Sequence, residues 1–140
     1  MPDRRAKILV ADVPEVIPLH REILCPRYDV EAVVDYHAAC NRVGDDTDLV
    51  ICGVHFDESR MVEFFSAVRH IPKTFVCFRG VETPLPPAAL RVTKLACEVL
   101  GGAGFIDFVS MREKYGHDAA VDKALDCVER ALVGKTVECE

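Results

Sequence analysis

Histidine and cysteine are the residue types in this chain that most readily act as bases, nucleophiles or metal ligands. The sequence has five histidines and seven cysteines, yet they form no CxxC motif, no Cys/His ligand spacing and no catalytic triad spacing. We therefore predict no metal site and no catalytic residue. We expect reduced, mostly buried thiols, as in a cytosolic protein, with Cys139 exposed near the tail, and we expect His20 and His37 on helix surfaces. The cysteines are Cys25, Cys40, Cys52, Cys77, Cys97, Cys127 and Cys139.

Arg79 and His55 are two further side chains with usable chemistry, and each follows an apolar run. Arg79 offers a planar guanidinium that suits a phosphate or a carboxylate. His55, a lone histidine in a loop, has the chemistry of a ligand or a base. Residues 11–15, ADVPE, contain no glycine, so the chain has neither a dinucleotide fingerprint nor a P-loop after its first apolar run.

An alternation of short apolar runs and amphipathic stretches must position these residues. The runs are rich in Val, Ile and Phe, which is typical of strands that are covered by helices on both faces. The predicted strands cover residues 7–11, 28–34, 48–54, 74–78 and 104–109. The predicted helices cover residues 14–25, 36–43, 58–70, 86–100 and 117–133, with Asp57 as the N-cap of the third helix.

Five β-α units with short connections predict a doubly wound α/β fold, in which a five-stranded parallel sheet lies between two layers of helices. We expect one domain over residues 1–140, with its core between about residues 7 and 133. Ligand sites in such folds lie just beyond the carboxyl ends of the strands. The residues at these positions are Asp12, Gly53, Arg79 and Ser110.

Charge and hydropathy exclude two classes of partner. The formal net charge is −6, and no cluster of Lys and Arg provides the basic surface that binds nucleic-acid phosphates. No apolar run approaches the length of a membrane span, and the start, MPDRRAKILVAD, is unlike a signal peptide. We expect a cytoplasmic protein that binds neither nucleic acid nor membrane.

Four segments together resemble a response-regulator receiver domain over residues 7 to about 133. They are KILVAD at the first strand, DLVICG at the third, GGAGFIDFV at the fifth, and RMVEFFSAVR in the helix after the third strand. Counted back from Arg69, which closes that helix, the register places Gly53 where receivers carry their phospho-accepting aspartate. The resemblance implies a CheY-like three-layer sandwich that has lost its acceptor.

The other receiver positions also depart from the family pattern. Asp12 is followed by Val13 instead of a second acidic residue, so one carboxylate remains of the set that holds Mg²⁺ in receivers. Arg79 stands where receivers have Ser or Thr, and Val109 or Ser110 stands where they have lysine. Phosphoryl transfer needs a nucleophile, a cation and fixed donors, so the resemblance implies that this chain is not phosphorylated and needs no cofactor or metal.

The hypothesis that follows is a phosphorylation-independent pseudo-receiver that works as a protein-interaction module and is not an enzyme. Its partner would be a signalling protein or a second copy of the chain. Three alternatives stay open: a sensor of small anions that uses Asp12 and Arg79, a redox sensor that uses Cys52 and Cys77 on neighbouring strands, and the amino-terminal domain of a larger regulator.

Two structural expectations complete this hypothesis. Without a metal, Asp12 needs a positive partner, and we expect Arg79 to reach it across the space that Gly53 leaves. Receivers signal through the face of their fourth helix, fifth strand and fifth helix, and an extended, proline-rich loop lies beside that face here. The predicted interaction surface consists of Val81, Leu85, Pro86 and Pro87.

Overall fold

Parallel strands in a single sheet form the centre of the computed structural model, which describes residues 5–70, 74–80, 86–135 and 137–140. The strands are β1 (Lys7–Ala11), β2 (Asp29–Val33), β3 (Leu49–Gly53), β4 (Thr74–Arg79), β5 (Gly104–Asp107) and β6 (Val137–Cys139). They are ordered β2-β1-β3-β4-β5-β6, and each neighbouring pair is parallel. The predicted doubly wound α/β fold is confirmed, with one strand more than expected.

The helices connect successive strands and cover both faces of the sheet. They are α1 (Ile17–Leu24, after a 3-10 turn over Pro14–Val16), α2 (Tyr36–Arg42), α3 (Phe56–Ser59, a single turn with non-helical backbone at Asp57 and Glu58), α4 (Met61–Val68), α5 (Pro87–Val99), α6 (Phe108–Tyr115) and α7 (His117–Leu132). Pro14 fits the start of its turn because a first helical residue needs no N–H partner. Gly134 follows α7 with φ +85°, a conformation that glycine adopts without steric cost.

Alternate residues of the central strands supply two cores, one on each face of the sheet. Ile8 and Ile51 point to the face that α1 and α7 cover, where they pack among buried residues such as Val128. Leu9 and Val50 point to the opposite face, which is filled by the aromatic residues of α4 and by residues of α5. Because both faces are covered, every residue of β3 is buried, which explains its continuous apolar run.

Two features at the β5 end of the sheet differ from the sequence prediction. The apolar run predicts a fifth strand over residues 104–109, but the strand ends at Asp107, and α6 begins at Phe108. The Asp107 carboxylate accepts a hydrogen bond from the Ser110 amide and so caps α6. The additional strand, β6, has three residues and pairs with β5, so it is too short for periodicity to reveal.

The cysteines correct the expectation of seven reduced thiols. The structure joins Cys77 to Cys97 and Cys127 to Cys139 as disulfides, and Cys139 is buried instead of exposed. Cys77 lies on β4 and Cys97 on α5, while the second bridge connects α7 to β6. These contacts depend on which helix covers which strand, and spacing along the chain does not contain that information. The described free thiols are those of Cys25, Cys40 and Cys52.

The turn after β3 has an uncommon backbone. Asp57, Glu58 and Ser59 have φ values of 43°, 57° and 66°, a left-handed conformation that costs a non-glycine residue about 1 kcal/mol or more. The prediction that Asp57 caps a helix beginning at Glu58 is therefore wrong. The Asp57 carboxylate instead accepts a hydrogen bond of 2.6 Å from the amide of Tyr36 at the start of α2, which fixes this turn to the neighbouring connection.

This backbone predicts the effect of a glycine at position 58. Glu58 is exposed, so Glu58→Gly should raise the free energy of unfolding by about 0.5 to 1 kcal/mol, because glycine adopts positive φ freely. The matched control is Glu113→Gly at an exposed position inside α6, which should lower the free energy of unfolding by about 1 kcal/mol. Urea unfolding measures both, and a loss of stability in Glu58→Gly would contradict the left-handed turn.

Candidate functional site

The carboxylate of Asp12, just after β1, is buried at the centre of the candidate site. Asp12 is 3% exposed, and both of its carboxylate oxygens have hydrogen-bond partners. Oδ1 accepts a hydrogen bond of 2.8 Å from the Val13 amide, and Oδ2 lies 2.7 Å from Nε2 of His20. A buried carboxylate requires such partners, because an unpaired one would pay the full cost of desolvation.

His20 is a member of this site that sequence patterns do not reveal. It lies on α1 and is 1% exposed, so the expectation that it sits on a helix surface is wrong. Its ring packs against Phe78 of β4 with centroids 4.3 Å apart. A partial signal exists in the sequence, since α1 follows Asp12 directly and one of its faces must turn toward the sheet.

Gly53 ends β3 beside Asp12, and the space above it is occupied. A Cβ atom built on Gly53 would overlap Oδ1 and Cγ of the Asp12 side chain. The absence of a side chain at position 53 is therefore what allows the Asp12 carboxylate to lie against the strand end and reach His20. At this strand end the glycine leaves no open pocket.

Arg79 pairs with Asp107 and not with Asp12, so the expected Asp12–Arg79 contact is wrong. Arg79 and Asp107 are register partners at the ends of β4 and β5. Nη1 of Arg79 lies 3.3 Å from Oδ1 and 3.2 Å from Oδ2 of Asp107, and the Asp107 side chain is 3% exposed. The apolar run around Asp107 predicts that this residue lies inside a strand. The sequence therefore gives no sign that its carboxylate binds Arg79.

Ser110 lies inside a helix instead of directly after a strand, whereas His55 follows β3 as expected. Ser110 lies in the first turn of α6, where its amide donates a hydrogen bond of 3.0 Å to Asp107, so its contribution to the site is a helix cap. His55 follows β3, and its Nε2 is buried without a hydrogen-bond partner among the described residues. The same holds for Nε of Arg79.

The cysteines near the strand ends do not form the redox pair of the second alternative. Cys52 and Cys77 are register partners on β3 and β4, as expected, but Cys77 is bonded to Cys97 on α5. Burial, together with the nearby charge of Asp12, raises the pKa of the Cys52 thiol well above its usual value. A buried thiol with so little thiolate is a poor nucleophile.

The described residues contain no group of three or more His, Cys, Asp or Glu side chains that is arranged to hold a metal ion. Two cavities of about 170 and 180 Å³ lie beside β6, and neither is lined by Asp12, Gly53 or Arg79. No helix in the described part of the chain has the length and apolar character needed to span a membrane.

Comparison with known proteins finds matches by structure but none by sequence search. No family model matches the sequence, and no curated protein matches it either. Solved structures do match, and response regulators and receiver domains are among them.

Three of these structures illustrate the likeness. A two-component response regulator of the LuxR family from Aurantimonas sp. SI85-9A1 has a TM-score of 0.69 at 16% identity, covering 96% of this chain and 89% of that one. The isolated REC domain of RcsB from Salmonella enterica serovar Typhimurium has a TM-score of 0.66 at 18% identity, covering 96% and 93%. The receiver domain of Ssk1 from Saccharomyces cerevisiae, crystallised with the histidine phosphotransfer protein Ypd1, has a TM-score of 0.61 at 12% identity, covering 96% and 97%. The chain therefore has the fold of a response-regulator receiver domain.

The overlap at Gly53 gives a prediction about stability. Gly53→Ala should lower the free energy of unfolding by about 3 kcal/mol, because its methyl group displaces the Asp12 carboxylate from His20. In an Asp12→Ala background the same change should cost at least about 1 kcal/mol less, since the overlapping atoms are gone.

The matched control for this cycle is Gly44→Ala. A Cβ at Gly44 would have its nearest contact at 3.6 Å, with Oδ1 of Asp46, so stability should change by no more than about 0.5 kcal/mol. Chemical denaturation of all four variants and the parent measures the coupling. Equal costs of Gly53→Ala in the two backgrounds would show that Asp12 does not occupy this space.

The Arg79–Asp107 pair gives a second prediction. Arg79→Met should lower the free energy of unfolding by about 2 kcal/mol, because it leaves the buried Asp107 carboxylate without its cation. Adding Asp107→Asn should recover about half of that loss, since asparagine removes the charge but still caps α6.

The control pairs Arg79→Met with Asp12→Asn, whose effects should add to within about 0.5 kcal/mol because Asp12 is bound by His20 instead. Urea denaturation measures each variant. Recovery of stability by Asp12→Asn, and not by Asp107→Asn, would refute this assignment of partners.

Proposed function

We propose that this chain is a phosphorylation-independent pseudo-receiver that acts as a protein-interaction module in signalling and is not an enzyme. The observation that carries the proposal is the filled space over Gly53, where a receiver would hold its acceptor side chain. Here the Asp12 carboxylate occupies that space, and His20 holds it there.

The chemistry of phosphoryl transfer supports this proposal. The reaction needs a nucleophile, a divalent cation and donors aimed at the developing charge. Glycine at position 53 supplies no nucleophile. Both oxygens of Asp12 already accept hydrogen bonds, from the Val13 amide and from His20, and a Mg²⁺ ion would have to displace those partners while keeping few protein ligands.

The alternative role as a sensor of small anions receives less support from this geometry. Arg79 is the cation that would attract an anion, but the two Asp107 oxygens lie 3.2 and 3.3 Å from its Nη1 and offset its charge. An incoming phosphate or carboxylate would have to compete with Asp107 for Arg79.

Interaction with another protein is the function left to a receiver fold without this chemistry. The Ssk1 receiver was crystallised with a protein partner, which agrees with such a role. We place the interaction surface near residues 81–87, of which Val81 and Leu85 lie outside the described residues, while Pro86 and Pro87 are exposed at the start of α5. The module would work in the cytoplasm without a cofactor, by itself or as part of a larger regulator.

Incubation with acetyl phosphate and Mg²⁺ tests the proposal. We expect the intact mass and the melting temperature to stay unchanged, because the site offers no nucleophile and both oxygens of its one carboxylate, Asp12, already have hydrogen-bond partners. A receiver that carries the acceptor aspartate, treated in the same way, serves as the positive control. A stoichiometric phosphoryl adduct on this chain would overturn the proposed function.

A further inference from the structure

Helix α5 exposes an apolar stripe to solvent. Its outer face carries Val92, Leu95 and Val99, which are 66%, 59% and 75% exposed, and Ala88 is exposed one turn earlier. The remaining large apolar residues that are exposed in the described chain lie singly on separate segments; they are Val34, Val62, Tyr115 and Val133. Single exposed apolar residues are ordinary, but a continuous stripe on one helix marks an interaction surface.

The spacing of this stripe is that of a helix that packs against another helix. Ala88, Val92, Leu95 and Val99 are separated by four, three and four residues, which is the a/d spacing of a heptad repeat. Cys97 lies on the opposite side of α5 and packs into the protein core. The same helix therefore has one buried side and one side suited to a helical partner.

The charged residues that flank the stripe identify the partner. Arg91 and Glu98 are exposed at equivalent heptad positions, one repeat apart on the same edge of the stripe. Neither side chain has an ion-pair partner within the part of the chain that the structure describes. If two copies of α5 pack antiparallel with Val92 against Leu95 of the other copy, Arg91 of each copy lies beside Glu98 of the other, on both sides of the two-fold axis.

The other edge of the stripe allows the two α5 helices to approach each other closely. It carries Ala89 and Ala96, whose small side chains let two helices pack closely at that edge. In a parallel arrangement, by contrast, Arg91 would face Ala96 of the second copy and its charge would stay unmatched. The sequence of α5 thus complements itself in one orientation.

We propose that the exposed stripe of α5 is the interface of a homodimer, in which two copies pack α5 against α5 antiparallel with reciprocal Arg91–Glu98 ion pairs. This inference rests on the proposed function, since it names a second copy of the chain as the partner of the interaction module. One helix pair of this length buries on the order of 1,000 Å² in total, near the lower limit for specific complexes. The dimer should therefore have a dissociation constant in roughly the micromolar range.

Sedimentation equilibrium of the full 140-residue chain over about 1 to 200 µM tests the interface. The parent should pass from monomer to dimer over this range. Leu95→Glu should raise the dissociation constant at least about tenfold, because it buries a charge between the two α5 helices. The matched control is Val34→Glu, at an exposed valine after β2, which should dimerise as the parent does. A parent that stays monomeric, or a Leu95→Glu variant that dimerises like the parent, overturns the inference.

A charge exchange tests the orientation. Arg91→Glu and Glu98→Arg should each weaken the dimer several-fold, because each places like charges together twice, and the double variant should return to within about twofold of the parent. Failure of the double variant to recover overturns the antiparallel arrangement. Circular dichroism and melting temperature establish that each variant is folded.

The two proposals fail separately. A monomeric chain that is inert to acetyl phosphate overturns the dimer and leaves the pseudo-receiver function standing. A dimer that accepts a phosphoryl group overturns the function instead.

Discussion

The burial of one carboxylate organises the carboxyl ends of the central strands. Asp12 is nearly inaccessible to solvent, and an ionised side chain in that position is stable only if its oxygens are hydrogen-bonded. The Val13 amide satisfies one oxygen and His20 the other. Because His20 comes from α1 and packs on Phe78 of β4, the same contact draws helix, first strand and fourth strand together, and Gly53 supplies the space in which it forms.

A second pair of charged residues lies at the carboxyl ends of the strands. Arg79 and Asp107 face each other from adjacent strand ends, and the Asp107 carboxylate also caps the helix that follows β5. The two acidic residues at the strand ends therefore have separate partners, one histidine and one arginine. In both pairs the carboxylate is bound by a side chain of the protein itself. The site therefore resembles a core polar network more than a binding pocket.

Apolar periodicity predicts most of the described strands and helices, but it does not reveal the contacts that depend on tertiary neighbours. The five predicted strands and the α/β alternation follow from apolar runs such as that of β3, and they are confirmed. His20 has only a partial signal in the sequence, because α1 follows Asp12 directly but its pattern does not specify which residues face that carboxylate. Asp107 resembles a residue inside a strand and not the last one, because an apolar run continues through it into α6. The three residues of β6 and the bonded cysteines depend on long-range packing, which no local pattern records.

The overlap between Gly53 and Asp12 has a consequence for which side chains position 53 tolerates. Replacement of Gly53 by aspartate would place a second carboxylate in the volume that Asp12 already fills. Such a chain would carry two like charges in a buried space. A larger residue at position 53 therefore requires an accompanying change at position 12 or 20, so the choice of residue at one of these positions depends on the others.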